Sequence, residues 1–438
     1  MTRPTKLFNR NFTLLWQGHL VSRVGSQAYI IAMMYWLMEA TGSASLMGLV
    51  MMVSHLPAGI LGPIAGTFAD RHSRRTIIVV TDLIRGVLVI ALAALFFLRP
   101  DSTDLLVVGL FVAGGLLATA GSFFQPAVSA AIPDLVPADK LPQANALNQM
   151  SMQLSTFLGQ GTGGVLFRLL GAPVLFLIDG ISYVFSAISE LFIQIPQKLP
   201  AKSSDPAVST FQQFKIDTKE GFAFVWRDRG LRHLFFAAAA LNFFAMPILV
   251  LLPFYVADFL NATADWYGFL LAAAGLGSMI GFGLFGWLKL DGRRRSITMV
   301  AALLLLSGTF AALGLLSSRW SALALLIGTG LTSGFFNVGI ATILQATTPS
   351  EIRGRVFGLL GTLSMALMPI SMGLAGFVAD AMDHNIPLIY LACGTATLLA
   401  ATVLTMSTDF RAFMAFNIAD TAVSQEKSAG LTETGPAD

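Results

Sequence analysis

Apolar residues run along this chain in long stretches, broken at intervals by short polar or basic turns. A helix needs about 20 apolar residues to cross the hydrocarbon core of a bilayer. Twelve stretches meet that length: 12–38, 44–69, 76–98, 105–130, 143–168, 172–195, 233–257, 266–288, 297–317, 320–345, 355–380 and 387–407. The pattern predicts an all-α membrane protein with both termini on one side. The longest gap, 196–232, divides the spans six and six. It opens polar and rich in Pro and Ser, as a linker does. It then turns amphipathic, with Phe214, Thr218, Phe222, Val225 and Trp226 on one face and Lys215, Lys219 and Arg227 nearby. That pattern predicts a helix lying along the membrane surface. The expected organisation is a six-helix bundle over 1–196, a linker over 197–232, a second bundle over 233–408 and a disordered tail over 409–438.

Composition and charge sharpen this picture. The chain of 438 residues is 55% hydrophobic and 12% charged, about half the charge of a soluble domain. Mean hydropathy is +0.73. Of 27 Lys and Arg, 22 fall in the terminal segments and even-numbered loops, while Arg99, Arg168 and Arg319 occupy the odd-numbered loops and Arg23 and Arg85 lie inside spans. The positive-inside rule then places both termini in the cytoplasm. Basic residues scattered between apolar runs, despite a net charge of +3, argue against a nucleic-acid partner. The single cysteine, Cys393, excludes an internal disulfide and a Cys-based metal site. No HExxH, GxSxG or Walker loop is present, and no His/Asp/Glu cluster has metal-ligand spacing. Neither an enzyme nor an ATP-driven pump is expected. The first apolar run lacks a small-residue cleavage site and is expected to stay as a helix.

One hairpin organises the rest. Gly62 and Gly66 end the second apolar run, and Asp70, Arg71, Arg74 and Arg75 follow before the third begins. Small residues permit close helix approach, and the basic cluster marks the cytoplasmic side. The chain also repeats: Phe123-Phe124-Gln125 matches Phe335-Phe336-Asn337 at an offset of 212, and Pro137-Ala138-Asp139 then falls on Pro349-Ser350-Glu351. A degenerate copy of the hairpin runs from Gly281 to Arg295. The spacing Gly66-x3-Asp70-Arg71-x2-Arg74-Arg75 resembles the loop between helices 2 and 3 of major facilitator superfamily (MFS) transporters, except that Ser73 stands where a glycine is usual. Its other reading is an ordinary positive-inside loop. The run Asn11-Phe12-x2-Leu15-Trp16-x-Gly18-x2-Val21-Ser22-x2-Gly25 and the segment Gln125 to Leu147 narrow the resemblance. With Asp82-Leu83-Ile84-Arg85 and Phe176-Leu177-Ile178-Asp179, they are similar to the MFS branch of macrolide-efflux and enterobactin-export proteins.

That resemblance implies two pseudo-symmetric six-helix bundles and export of small amphipathic or hydrophobic compounds. It also implies the proton gradient as energy source, with no cofactor. It further implies that the hairpin is a conformational latch, Asp70 seated at the start of the eleventh helix near Arg353-Gly354-Arg355 where the helix dipole favours an anion. The setting expected is a bacterial cytoplasmic membrane, with small-molecule cargo and the lipid bilayer as partners of a monomer. An importer, a lysolipid mover, a membrane sensor and a membrane-embedded enzyme are the alternatives.

A charge inside a bilayer costs at least about 2.5–3.5 kcal/mol, so each buried one is a functional candidate. All of them lie in the first half. Asp179 leads as proton carrier, with a static helix-packing acid as the competing reading. His55 has a suitable intrinsic pKa, yet before Leu56-Pro57 it also reads as a hydrogen-bonded kink residue. Arg23 stays charged and can hold an anionic group or pair with Asp179. Asp82 and Arg85, three apart, read as a structural ion pair. Glu190 sits close enough to the cytoplasmic surface to be solvated, and Asp258, Asp380 and Asp383 read as boundary residues. Candidate cavity residues are Gln125, Gln149, Gln153, Gln160, Asn242, Met246, Phe335, Met365 and Met368, since amides bond cargo and Met surfaces adapt to shape; packing or lipid-facing stripes are their other reading.

Overall fold

Polar side chains set the helix starts. Asn9 accepts from the amides of Asn11 and Phe12 and opens α1 (Arg10–Thr41), which Gly42 ends with a left-handed φ of 63°. Ser43 caps α2 (Ala44–Arg71). Ser73, at the position where the hairpin pattern usually has glycine, accepts from the Thr76 amide and caps α3 (Arg74–Leu98). A Ser side chain supplies the acceptor that a first helical turn lacks. α4 spans Thr103–Leu135. The helix Leu141–Leu191 is broken at Gly171, whose φ of 74° and ψ of 167° suit glycine alone, with Pro173 just after it. We label its arms α5 (141–170) and α6 (172–191).

The second half contains α7 (Arg229–Val250), α8 (Asp265–Leu288), α9 (Gly292–Leu313) and α10 (Arg319–Thr347). It continues with α11 (Ser350–Ala381), α12 (Ile386–Met406) and the short α13 (Thr408–Met414). The computed structural model describes residues 6–197, 219, 222–227, 229–288, 290, 292–348 and 350–415. Among them, nine helices are long and apolar enough to cross a membrane. The α5–α6 bend divides one of these, and α1 and α11, each of 32 residues, have the length of further spans.

Three apolar cores fix the arrangement. One belongs to the first half alone, joining Phe12, Ile78, Phe124 and Ala144. A second belongs to the other half, joining Leu234, Met299, Phe335 and Phe410. The largest runs through both halves, with Tyr35, Met47, Tyr267 and Met372 among its members. The halves therefore share a core at one end and keep separate cores at the end bearing the 62–75 hairpin.

Glycines record the same divergence. At Gly48 a Cβ would lie 3.2 Å from the backbone of Gly376, so α2 and α11 touch there. At Gly62 and Gly66 it would meet nothing within 4 Å among the described residues. Among the described residues, the small residues of the hairpin thus meet no neighbour at the Cβ position in this conformation, where close helix contact was expected of them.

Two boundaries differ from expectation. The seventh helix stops at Val250, because Pro253 follows, and the chain continues as a π-helical turn, Tyr255–Phe259. The tail expected from 409 begins as α13: Phe410 and Met414, four apart, are fully buried against α7 and α9. Residues beyond 415 lie outside the described residues. So does most of the amphipathic linker helix, of which 222–227 are helical with Val225 buried and Phe222 stacked on Trp226 at 5.1 Å.

Candidate functional site

The buried charges of the first half converge. A cavity of about 270 Å³ is lined by His19, Ser22, Arg23 and Ser26 from α1, Arg85 from α3, Phe124 and Gln125 from α4 and Tyr183 from α6. Arg85 donates to Asp82 at 3.1 Å, and both are buried. Its guanidinium also sits 4.4 Å from the Phe124 ring centre, a cation–π contact. Asp179 is buried behind the same wall and accepts from Ser26 Oγ at 3.3 Å and Ser182 Oγ at 3.5 Å. Arg23 donates to the neutral Asn148 amide at 3.2 Å, so the Arg23–Asp179 pair is not formed in this conformation.

Two members of this cluster differ from the sequence reading. Glu190 was expected to be solvated, but it is fully buried and accepts from Ser186 at 3.2 Å. Helix-end position suggested exposure; α1 covers it. Gly18 permits this, since a Cβ there would fall 2.9 Å from Ser186 Oγ. Gly25, two turns on, meets Asp179 Oδ1 and Ser182 Oγ in the same way, each at 2.7 Å. His19 was not singled out at all. It is buried, packs edge-on against Phe124 at 5.0 Å and faces the cavity four residues before Arg23, a spacing that was readable.

A second cavity, of about 250 Å³, lies in the other half among α7, α9 and α10. Its walls are the internal repeat of the first. At the offset of 212, Leu117, Gly121, Phe124 and Gln125 correspond to Thr329, Ser333, Phe336 and Asn337, and all eight line their respective cavities. An offset of 219 carries His19, Ser22, Arg23 and Ser26 onto Ala238, Leu241, Asn242 and Ala245, again lining residues. One fold element thus builds two equivalent pockets. The first is charged; the second is neutral, with two amides in an apolar wall.

The other candidates disperse. Gln149 and Gln153 are exposed, and Gln160 bonds Gln27 of α1 at 2.7 Å. Met246 and Phe335 are packed in the cores, and Met368 packs against the larger one. His55 Nδ1 donates to the Met51 carbonyl of its own helix at 2.9 Å. The side chains of Met365, Asp70 and residues 353–355 lie outside the described residues. In the hairpin, Arg74 pairs with Asp134 of α4 and Arg75 donates to the Leu191 carbonyl of α6, so both staple the first half.

At the far end the halves are clasped. Asp380, at the end of α11, accepts from the amides of Ala44 (2.8 Å) and Ser45 (2.9 Å) and from Ser43 Oγ (3.0 Å) at the start of α2. His384 braces it at 2.9 Å. A carboxylate is well placed on a helix N-terminus, where free amides and the dipole favour an anion. Arg168 and Asp265 add a second bridge at 2.9 Å, between α5 and α8. Asp380 had been read as a boundary residue; its partners are 335 or more positions away, which no local pattern reveals.

Paired bundles, a shared core at one end and repeat-related cavities define an MFS transporter, not an enzyme. Solved structures agree on the fold: the nucleoside transporter NupG (TM-score 0.66, 10% identity) covers 91% of this chain and 99% of its own. A bacterial homologue of the human lysosomal transporter Spinster, in an inward-facing, unoccupied conformation, gives a TM-score of 0.65 at 14% identity over 95% of this chain and 99% of its own. Residues 4–432 match the family profile described as "Transmembrane secretion effector", and the chain belongs to that family. It is similar to Macrolide efflux protein A of Streptococcus pyogenes, 26% identical over 91% of this chain and 96% of that protein. It is also similar to the multidrug efflux pump Tap of Mycolicibacterium fortuitum, 27% identical over 83% and 87%.

Proposed function

We propose that this protein is a proton-coupled exporter of small amphipathic or hydrophobic compounds in a bacterial cytoplasmic membrane. The observation that carries this reading is the asymmetry of its two equivalent cavities in a molecule whose halves, among the described residues, are clasped at the end away from the hairpin. Alternating access requires two bundles that rock about a central site. Coupling requires ionisable groups near that site, and the first half supplies Asp179, Arg23 and their neighbours. Cargo recognition by apolar contact and a few directed polar groups suits the second half, with Asn242 and Asn337. Each cavity alone is smaller than the roughly 300–1,000 Å³ of drug-sized sites, so cargo would sit between the halves and touch both walls. Arg23, bonded here to a neutral amide, would meet an electron-rich or acidic group of the cargo.

The positive-inside bias supports cytoplasmic termini and a cytoplasmic hairpin end, with the described clasp at the opposite end. Residues 1–196 and 233–408, extended to include α13, would be the two rocking bodies of a monomer. The names of the relatives support macrolides and other lipophilic drugs as first cargo to try. In a host lacking its major pumps, expression should lower ethidium and erythromycin accumulation several-fold, and a protonophore should reverse this. Equal accumulation with and without the protein would overturn the reading for these cargoes, and protonophore-insensitive export would overturn proton coupling.

A further inference from the structure

The wall of the first cavity carries charge of one sign. Among the described residues, Arg23 and Arg85 line it and no Asp or Glu does. The nearby acids sit behind that wall. Asp82 is 0% exposed and held by Arg85 at 3.1 Å, and Asp179 is 1% exposed and held by Ser26 and Ser182. Arg85 therefore faces the cavity as half of an ion pair, its guanidinium 4.4 Å from the Phe124 ring centre and 5.5 Å from that of Tyr183. Arg23 is different. It is half-buried, and among the described residues its one hydrogen bond runs to the neutral Asn148 side chain at 3.2 Å. Most of its guanidinium N–H groups stay open to whatever enters.

A guanidinium keeps its charge at physiological pH, and a charge held at membrane depth without a counter-ion is costly. A carboxylate, sulfonate or phosphate in the cavity would remove that cost and take up the open N–H groups in paired, charge-assisted bonds. The second cavity offers no such attraction among its lining residues. Asn242 stands at the position equivalent to Arg23 and donates to the Ala238 carbonyl of its own helix at 2.8 Å, with Leu234, Phe310 and Phe336 around it. We propose that the first cavity is an anion subsite centred on Arg23, and that the preferred cargo is an amphiphile with an acidic head and an apolar body. The head meets Arg23, with Arg85 adding to the positive field, and the body lies against the neutral wall of the second half. Placing head and body in one molecule rests on the exporter reading; the anion subsite rests on the cavity wall alone. A cation such as ethidium gains nothing at this subsite and is held by apolar contact only.

Calorimetric titration of the purified full chain in detergent at neutral pH tests it with two probes of matched aromatic body, 2-naphthoate and 2-naphthylmethylamine. Naphthoate should bind saturably and about tenfold or more tightly than the amine. Arg23→Gln should weaken naphthoate about tenfold or more, the loss expected for hydrogen bonds to a charged group, and erase the preference over the amine. Arg23→Lys, which keeps the charge, should retain part of that preference. Inorganic phosphate should compete poorly, having no apolar body for the second wall; full displacement of naphthoate by equimolar phosphate overturns the amphiphile assignment. Equal affinity for acid and amine in wild type, or unchanged naphthoate binding in Arg23→Gln, overturns the subsite, and the first comparison needs no variant to fold. Binding is read without a proton gradient. Acid-selective binding without cargo-driven proton movement in liposomes would therefore count against proton-coupled export and leave the subsite standing.

Discussion

At the residue scale, Gly18 and Gly25 decide how near α1 comes to the acids of α6. They are seven positions apart, two turns on one face, and each leaves room for a polar group of α6 where a methyl would not fit. The sequence pattern at the start of α1 thereby acquires a physical cause. Gly25→Ala should cost about 1–3 kcal/mol through overpacking, seen as a lower unfolding temperature in detergent. Gly62→Ala should leave that temperature within error, since among the described residues nothing lies within 4 Å of its Cβ position in this conformation. Positions along the helices were legible here: Arg23, Asp82, Arg85 and Asp179 were all picked from depth alone. Burial of Glu190 and the placement of His19 were not, because they depend on which helix faces which and on the two glycines that let α1 close.

At the element scale, α2 and α11 form an antiparallel pair across the two halves. Asp380 ends α11 on the N-terminus of α2. Asp70 ends α2 at the opposite extremity, where the start of α11 is its expected partner. With the proposed latch, each helix would carry an acid that caps the other, one at each end of the molecule. The far-end clasp includes hydrogen bonds to a charged group, worth about 1.5–3 kcal/mol each. Asp380→Asn should thus shift the balance between end-closed and end-open forms about tenfold or more. Spin labels at positions 46 and 382, with Cys393→Ser, should report a short separation in wild type and a growing longer population in the variant. An unchanged distribution would show that the clasp does not hold this end shut. Asp70→Asn should impair transport while the protein still reaches the membrane; unchanged turnover would remove the latch role. Apolar runs and the hairpin sequence were readable because each is local. The clasp joins residues 335 or more apart, and the Pro253 break and buried α13 overrode apparently simple boundaries.

At the scale of the whole molecule, duplication and divergence account for the architecture. Two repeat offsets, 212 and 219, relate the walls of both cavities, yet Arg23 is matched by Asn242 and His19 by Ala238. The cavity charge is concentrated in one half, and the neutral, largely apolar wall in the other. The helical membrane fold was legible from the chain because apolar length needs no tertiary information. The equivalence of the cavities emerged only when the structure showed which face of each repeat turns inward.

The central claim is that proton and cargo move in opposite directions through this site. Purified protein in liposomes enclosing a pH-sensitive dye, under an imposed proton gradient, tests it most directly. Ethidium and erythromycin should each drive proton movement in wild type, and Asp179→Asn should abolish it while retaining cargo binding. Cargo flux without accompanying protons in wild type would contradict the account.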